Sequence, residues 1–211
     1  AVGYLALCLN TTGICNTAIG SNALRFNTTG KYNTALGQAA LRANSTGYQN
    51  TAVGQSALKG QTTGISNTAI GYRAAENSNG TNCAVAVGRF ALFGNQANSL
   101  VAVGSNALRC NTTGIYNVAV GHAALCANTV GYRNVAIGSY VLRGNTTGTR
   151  NTAMGDGALQ ANTAGCHNTA VGFQSSFYNT TGVFNTSLGY RSMFKNTTGQ
   201  CNVAVGHNAG R

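Results

Sequence analysis

An all-β chain wound as a parallel β-solenoid is what this sequence predicts, and three observations carry the prediction. A glycine returns every seventeen residues, as Gly3, Gly20, Gly37, Gly54, Gly71 and Gly88, and after one sixteen-residue step as Gly104, Gly121, Gly138, Gly155, Gly172, Gly189 and Gly206. A second glycine trails the first by ten residues in most repeats, as at Gly13, Gly30, Gly47 and Gly114. Only two large apolar positions persist from repeat to repeat. A fixed period of this kind means that each repeat is one structural turn, about twelve in all.

Counted from its opening asparagine, the repeat reads Asn-Thr-Ala-φ-Gly-x-x-Ala-Leu-x-x-Asn-Thr-Thr-Gly-x-x, where φ is aliphatic. Slots 2 to 4, such as Thr17-Ala18-Ile19, suit a short extended strand. Slot 5 glycine and slot 15 glycine suit corners, where a positive φ is tolerated. Slot 4 holds Ile19, Leu36 and Val53, and slot 9 holds Leu24, Leu41 and Leu58, with equivalents in later turns. These two rows are expected to merge into a continuous core once turns stack, since one turn alone buries too little. A helical repeat is excluded by length and composition. A helix pair needs about 30 residues or more, and helix interiors disfavour Gly, Asn and Thr.

Two asparagine ladders run beside the apolar rows. Slot 1 carries Asn16, Asn33 and Asn50 and continues to Asn202; slot 12 carries Asn10, Asn27 and Asn44 and continues to Asn196. Stacked amides hydrogen-bond along a ladder, and asparagine also bonds its own backbone at turns. Asn-Thr-Thr is a glycosylation sequon as well, but the repeat geometry already accounts for the recurrence.

Charge is scarce and one-sided. Charged residues make up 7% of the chain, against roughly 25% in ordinary globular domains. Thirteen Lys and Arg face only Glu76 and Asp156. Slot 10 collects Arg25, Arg42, Lys59, Arg109, Arg143 and Arg211, which stacking turns into a broken basic stripe. One reading is a contact surface for an acidic glycan, a cell-surface polysaccharide or another polyanion. The other is a solubilising edge that blocks sheet-to-sheet association. Specific nucleic-acid binding is not expected, because no recognition module is present and the aromatic residues do not interleave with the basic ones. No membrane insertion is expected, since no apolar run exceeds a few residues.

The seven cysteines sit in variable slots, and no two form Cys-x-x-Cys, so no metal site is expected. Cys110 and Cys126, on successive turns, are the one pair that suggests an intrachain disulfide. The odd, scattered set otherwise suits reduced thiols and assembly in a cytoplasm, as of a virus particle. Between residues 76 and 101 the repeat degrades: slot 1 becomes Ala84 and then Leu100, and Phe90 and Phe93 enter. This region is either a binding bulge or ordinary drift. A second aromatic group, Phe173, Phe177, Tyr178, Phe184, Tyr190 and Phe194, coincides with loss of the slot 9 leucine to Ser176 and Met193. Phe177, Tyr178 and Phe194 are candidates for carbohydrate stacking; local core repacking is the alternative.

Catalytic chemistry has no support in the sequence. Glu76 and Asp156 lie five turns apart, roughly 24 Å at the strand spacing, too far for a carboxylate pair. His122, His167 and His207 have no acidic partner in register. The chain is therefore expected to be no enzyme, with no catalytic residue and no cofactor. It begins and ends inside repeats with no capping segment, which suggests one repeat domain over 1–211, cut from a longer fibre or stacked end to end.

Asn16-Thr17-Ala18-Ile19-Gly20 and Asn134-Val135-Ala136-Ile137-Gly138 resemble the Asn-x-Val-Ala-Ile-Gly motif of YadA-like trimeric adhesin heads. The chain as a whole is similar to the repeats of tail-fibre-type proteins, although its seventeen-residue period exceeds the roughly fourteen residues of the head repeat. The resemblance implies a left-handed β-roll packed as a homotrimer, with the slot 3 and slot 8 alanines at the contacts between rolls. It implies a structural and adhesive fibre segment, extracellular or on a virion or cell surface, that attaches by many weak contacts. Two alternatives stand beside it: a stalk or self-assembling filament without a ligand, and an ice-binding solenoid. The last needs outward threonines at alternating positions of one strand, and adjacent Thr28-Thr29 does not provide them.

Overall fold

The computed structural model describes residues 1–210. It is an all-β solenoid with no helix, and its twelve strands are three residues long. Two compact units divide the chain, Ala1–Ser105 and a second that begins at Asn106. The first contains β1 (Thr17–Ile19), β2 (Thr34–Leu36), β3 (Thr51–Val53), β4 (Thr68–Ile70), β5 (Val85–Val87) and β6 (Val101–Val103). The second contains β7 (Val118–Val120), β8 (Val135–Ile137), β9 (Thr152–Met154), β10 (Thr169–Val171), β11 (Thr186–Leu188) and β12 (Val203–Val205). Within each unit, successive strands pair in parallel and in strict repeat register, as Thr17↔Thr34, Ala18↔Ala35 and Ile19↔Leu36 in the first and Val135↔Thr152 in the second.

The strands reverse one sequence expectation. Each three-residue strand buries its middle residue and turns its flanks outward, because side chains alternate along a strand. Ala18, Ala35, Ala52, Ala119 and Ala136 at slot 3 have no exposure. The slot 4 aliphatics point the other way: Ile19 is 43% exposed and Leu36 44%. Slot 4 is thus not a core row, and the slot 3 alanines are not free to meet another roll. A seventeen-residue loop encloses so little space that a methyl fills it opposite the strand.

The large core side chain is slot 9 leucine, fully buried at Leu24, Leu41, Leu108, Leu125, Leu142 and Leu159. Slot 8 alanine lies buried beside it, as at Ala23 and Ala40. The remaining interior is polar and mostly paired; among the described residues the buried Asn44 Oδ1, Gln61 Oε1 and Ser78 Oγ lack a partner, where the slot 12 ladder is broken by Gln61. Asn33 Nδ2 donates to Asn16 Oδ1 (3.2 Å) and to Gly47 O (2.8 Å), and its own Oδ1 accepts from the Asn50 backbone N–H (3.0 Å). Slot 12 repeats the device: Asn44 Nδ2 donates to Asn27 Oδ1 (2.7 Å) and to Gly47 O (3.1 Å). Where both ladders are unbroken, as at Gly30, Gly47, Gly131 and Gly148, the slot 15 carbonyl receives two amide donors. Outside the ladders, a single slot 13 carbonyl ties neighbouring turns. Ser45 O accepts the N–H groups of Thr28, Thr29 and Gly30 at 3.0–3.2 Å, and the Thr28 hydroxyl at 3.1 Å.

The two glycines serve different ends. Slot 5 glycines lie at φ 115–137°, a region closed to side chains, and a Cβ on Gly20 would stand 2.6 Å from the Gly37 carbonyl. Slot 15 glycines have no positive φ. Their need is space, since a Cβ on Gly30 would overlap Asn27 Oδ1 and the Gly47 carbonyl. The left-handed corners expected of glycine fall largely on other residues: slots 7, 9 and 17 take φ of 47–60°, including every slot 9 leucine. Among the described residues none of these positive-φ positions holds Val, Ile or Thr, the types least tolerant of that conformation.

The irregular stretch leaves the sheet intact. β5 and β6 pair in register across the sixteen-residue step, Val85↔Val101. The missing residue is absorbed after slot 12, where Asn95 Nδ2 reaches the Ala97 carbonyl two residues on instead of three (2.7 Å). Ala84 and Leu100 occupy the slot 1 interior, 3% and 0% exposed.

Candidate functional site

Three surfaces follow from this winding. The first is the outward strand face. In unit one it presents Thr17, Thr34, Thr51, Thr68, Val85 and Val101 beside Ile19, Leu36, Val53, Ile70, Val87 and Val103. The strands of unit two present the same two columns, with Ile137 37%, Met154 41% and Leu188 47% exposed. No charged residue occurs in slot 2 or slot 4 of any strand, in a chain of net charge +11. No strand carries threonine at both outward positions, which is the arrangement that ice binding asks for. The slot 13 threonines are no substitute, since their hydroxyls bond the next turn, as Thr129 Oγ1 to Thr146 O at 3.1 Å.

The second surface is the slot 10 edge. Arg25, Arg42 and Lys59 do stand on successive turns, but none is a bare charge. Arg25 and Arg42 lie over the Phe26 ring at 5.0 and 5.5 Å, and Arg25 Nη1 donates to Asn22 Oδ1 (3.3 Å). Lys59 Nζ pairs with Glu76 Oε1 at 3.3 Å, and the other carboxylate oxygen holds Arg73 Nε. Glu76 is buried, and its hydrogen bond raises the Arg73 guanidinium above the ordinary arginine range. In unit two, Arg143 lies 5.5 Å from the Tyr140 ring and Arg109 is exposed near Cys126. Arg211 lies outside the described residues.

Rings and guanidinium groups interleave after all, contrary to the sequence reading. Arg73 lies 4.9 Å from the Phe93 ring and 5.4 Å from Phe90; Arg133 and Arg150 flank Tyr132 at 5.9 and 5.3 Å. Several of these partners lie a full turn apart in sequence, as Arg73 with Phe90 and Arg150 with Tyr132, so the pairing is hidden in the linear chain. It becomes legible only when the sequence is written as a stack.

The third surface is the aromatic group. Phe177 and Phe194 stack at 5.5 Å, and Tyr178 packs edge-on to both at 4.8 and 5.1 Å. The rings cover one another. Beneath them the lost leucine is replaced by a hydroxyl cluster: Ser175 and Ser176 Oγ both donate to Ser187 Oγ, at 2.6 and 2.8 Å. Phe173 and Tyr190, grouped in sequence with these rings, instead form a separate slot 6 column with His207, stacked at 5.3 and 5.0 Å with interplanar angles of 14° and 7°. Its signal is the seventeen-residue spacing of the three rings. His122 and His167 likewise rest on rings, Tyr140 and Phe184.

The sequons and thiols are placed as follows. Asn27, Asn44 and Asn145 have no exposure, so the folded chain closes these acceptors to a glycosyl donor. Cys110 and Cys126 are free thiols on adjacent turns, joined through the Cys110 N–H and the Cys126 carbonyl (3.1 Å). Burial, and then the neighbouring Cys110, push the Cys126 thiol up; Arg109 and Arg143 pull it back.

Comparison with family models, with curated proteins and with solved structures gives no match.

Proposed function

We propose that this chain is a segment of a homotrimeric surface fibre of the YadA-like and tail-fibre type. In this reading three rolls close on one another through their outward strand faces, and the remaining edges make many weak contacts with a target surface. The observation that carries the reading is the strand face itself. It is a doubly aliphatic or Thr/aliphatic column, exposed at Ile19, Leu36, Ile70, Ile137, Met154 and Leu188 and half-buried at Val53, Val87, Val103 and Val120, with no charge at any strand position in a chain of +11. Exposed apolar area of this continuity marks an interaction surface. The contact between rolls is made by slots 2 and 4, since the alanines of slot 3 are consumed by their own roll.

The setting is extracellular, on a virion or a cell, where avidity replaces tight single-site binding. The test is the native mass by light scattering after size exclusion in reductant. Three times the 21.5 kDa chain is expected; a monomer overturns the trimer, and concentration-dependent open growth favours a filament instead.

A further inference from the structure

Slots 10 and 11 of successive turns in unit one form a groove of about 300 Å³, with Phe26 at one end and Glu76 at the other. Its floor exists because slot 11 shrinks from Phe26 to Ala43 and then Gly60. Gly60 is held there by backbone approach: its N–H donates to the Glu76 carbonyl at 2.7 Å, and a Cβ would stand 2.8 Å from that oxygen. Four turns at the strand spacing give a length of about 14 Å, room for two to three sugar rings.

Arg42 is the unspent group in this groove. Its guanidinium rests on the Phe26 ring, and its buried Nε has no hydrogen-bond partner among the described residues. A buried unpaired donor is costly, and a guanidinium braced on a ring offers its in-plane N–H fork to an oxyanion. Lys59 stands one turn on. The carboxylate it touches is shared with Arg73, so this cluster keeps a net positive charge around Arg42 and Lys59. At the far end the Glu76 carboxylate is buried and taken up by Lys59 and Arg73, while exposed Asn77 beside it offers an amide to hydroxyls and no charge.

We infer that this groove binds an acidic polysaccharide whose charge falls on alternate sugars, with the oxyanion on Arg42 and Lys59 and a neutral, hydroxylated unit toward Glu76 and Asn77. A chain charged at every unit, such as a nucleic acid, meets neutral Asn77 one unit later and leaves that charge without a partner, so it gains nothing over the alternating chain. The inference deepens the attachment reading proposed above and rests on it for its biological setting, though the groove lies within one roll.

The experiment is calorimetric titration of the whole chain with three probes of equal length. They are a hexasaccharide alternating uronate and neutral N-acetylated sugars, its neutral counterpart, and a single-stranded DNA hexamer. The uronate probe is expected to bind at least about tenfold more tightly than either of the others. Arg42→Gln weakens it about tenfold, the loss of one charge-assisted contact, while Arg143→Gln, with the same change in net charge, leaves it within about twofold. Equal loss in the two variants, DNA binding as tight as the uronate, or no binding of the uronate probe overturns the assignment. Native mass and thermal melting recorded on the same samples separate failure of the groove from failure of the trimer or of the fold.

Discussion

Asn134 shows how one side chain holds three turns together. Its amide donates to Asn117 Oδ1 (3.1 Å) and Gly148 O (2.9 Å), and its oxygen accepts from the Asn151 N–H (3.0 Å) and amide (3.2 Å). Asn134→Ala orphans the buried Asn151 N–H, at about 1–3 kcal/mol, and removes one bond each from Asn117 Oδ1, Gly148 O and the Asn151 amide, which keep a second partner, at about 0.5–1.5 kcal/mol apiece. We expect a loss of about 3 kcal/mol or more in urea unfolding, against less than about 0.5 kcal/mol for exposed Thr147→Ala; equal midpoints for the two would sink the ladder's structural role.

Leu125, at φ 50°, makes a second residue-scale case. Leu125→Val combines a lost methylene with a β-branched side chain in the left-handed region, about 2–4 kcal/mol together. Leu125→Met keeps the volume and an unbranched Cβ, and costs under about 1.5 kcal/mol; Met193 already occupies that slot and conformation at φ 48°. A valine variant as stable as the methionine one refutes the conformational argument. The identity of these residues was plain in the repeat, but the reason for them was not. Glycine at slot 15 reads as a corner in sequence, and only the stacked asparagines show that it is needed for space.

At the scale of the element, the three-residue strand was legible and its orientation was not. Thr17-Ala18-Ile19 states where a strand lies. Period-two alternation fits either face as the inner one, and the larger side chain is ordinarily buried. The narrow loop inverts that habit, so alanine goes in and isoleucine out. The corner that carries Cys110 and Cys126 gives a pH prediction of the same kind. Burial raises the Cys126 thiol, so at any given pH it holds less thiolate than a free thiol of about 8.5. Its alkylation rate should reach half its plateau at a higher pH than a cysteine peptide, and Arg109→Gln with Arg143→Gln should move that point higher still. The linked stability is present below the unfolded thiol's pKa and is lost as pH rises toward the folded value. An alkylation profile superimposable on the peptide's, in chain shown by circular dichroism to be folded, refutes the burial argument.

For the whole molecule, the repeat announced a solenoid, because seventeen residues with two small corners admit little else. Which surface meets a partner was hidden, since it depends on the in-or-out choice at every strand. The proposed trimer turns on that choice and can be broken by it. Leu36→Lys and Ile137→Lys each put an ammonium in the middle of an outward column, where the side chain is 44% and 37% exposed in the single chain. In an isolated roll such a change costs little, because the group stays in water. In a closed trimer three ammonium groups are buried together without partners, a penalty of several kcal/mol per ion. These variants should therefore elute at one third of the parent mass while keeping its circular dichroism spectrum. Ala35→Lys is the counter-test: slot 3 is interior, so it should unfold its turn and not release intact rolls. Variants at slot 4 that keep the parent mass, beside an Ala35 variant that dissociates as folded monomer, would return the contact to the alanine row and overturn the proposed face.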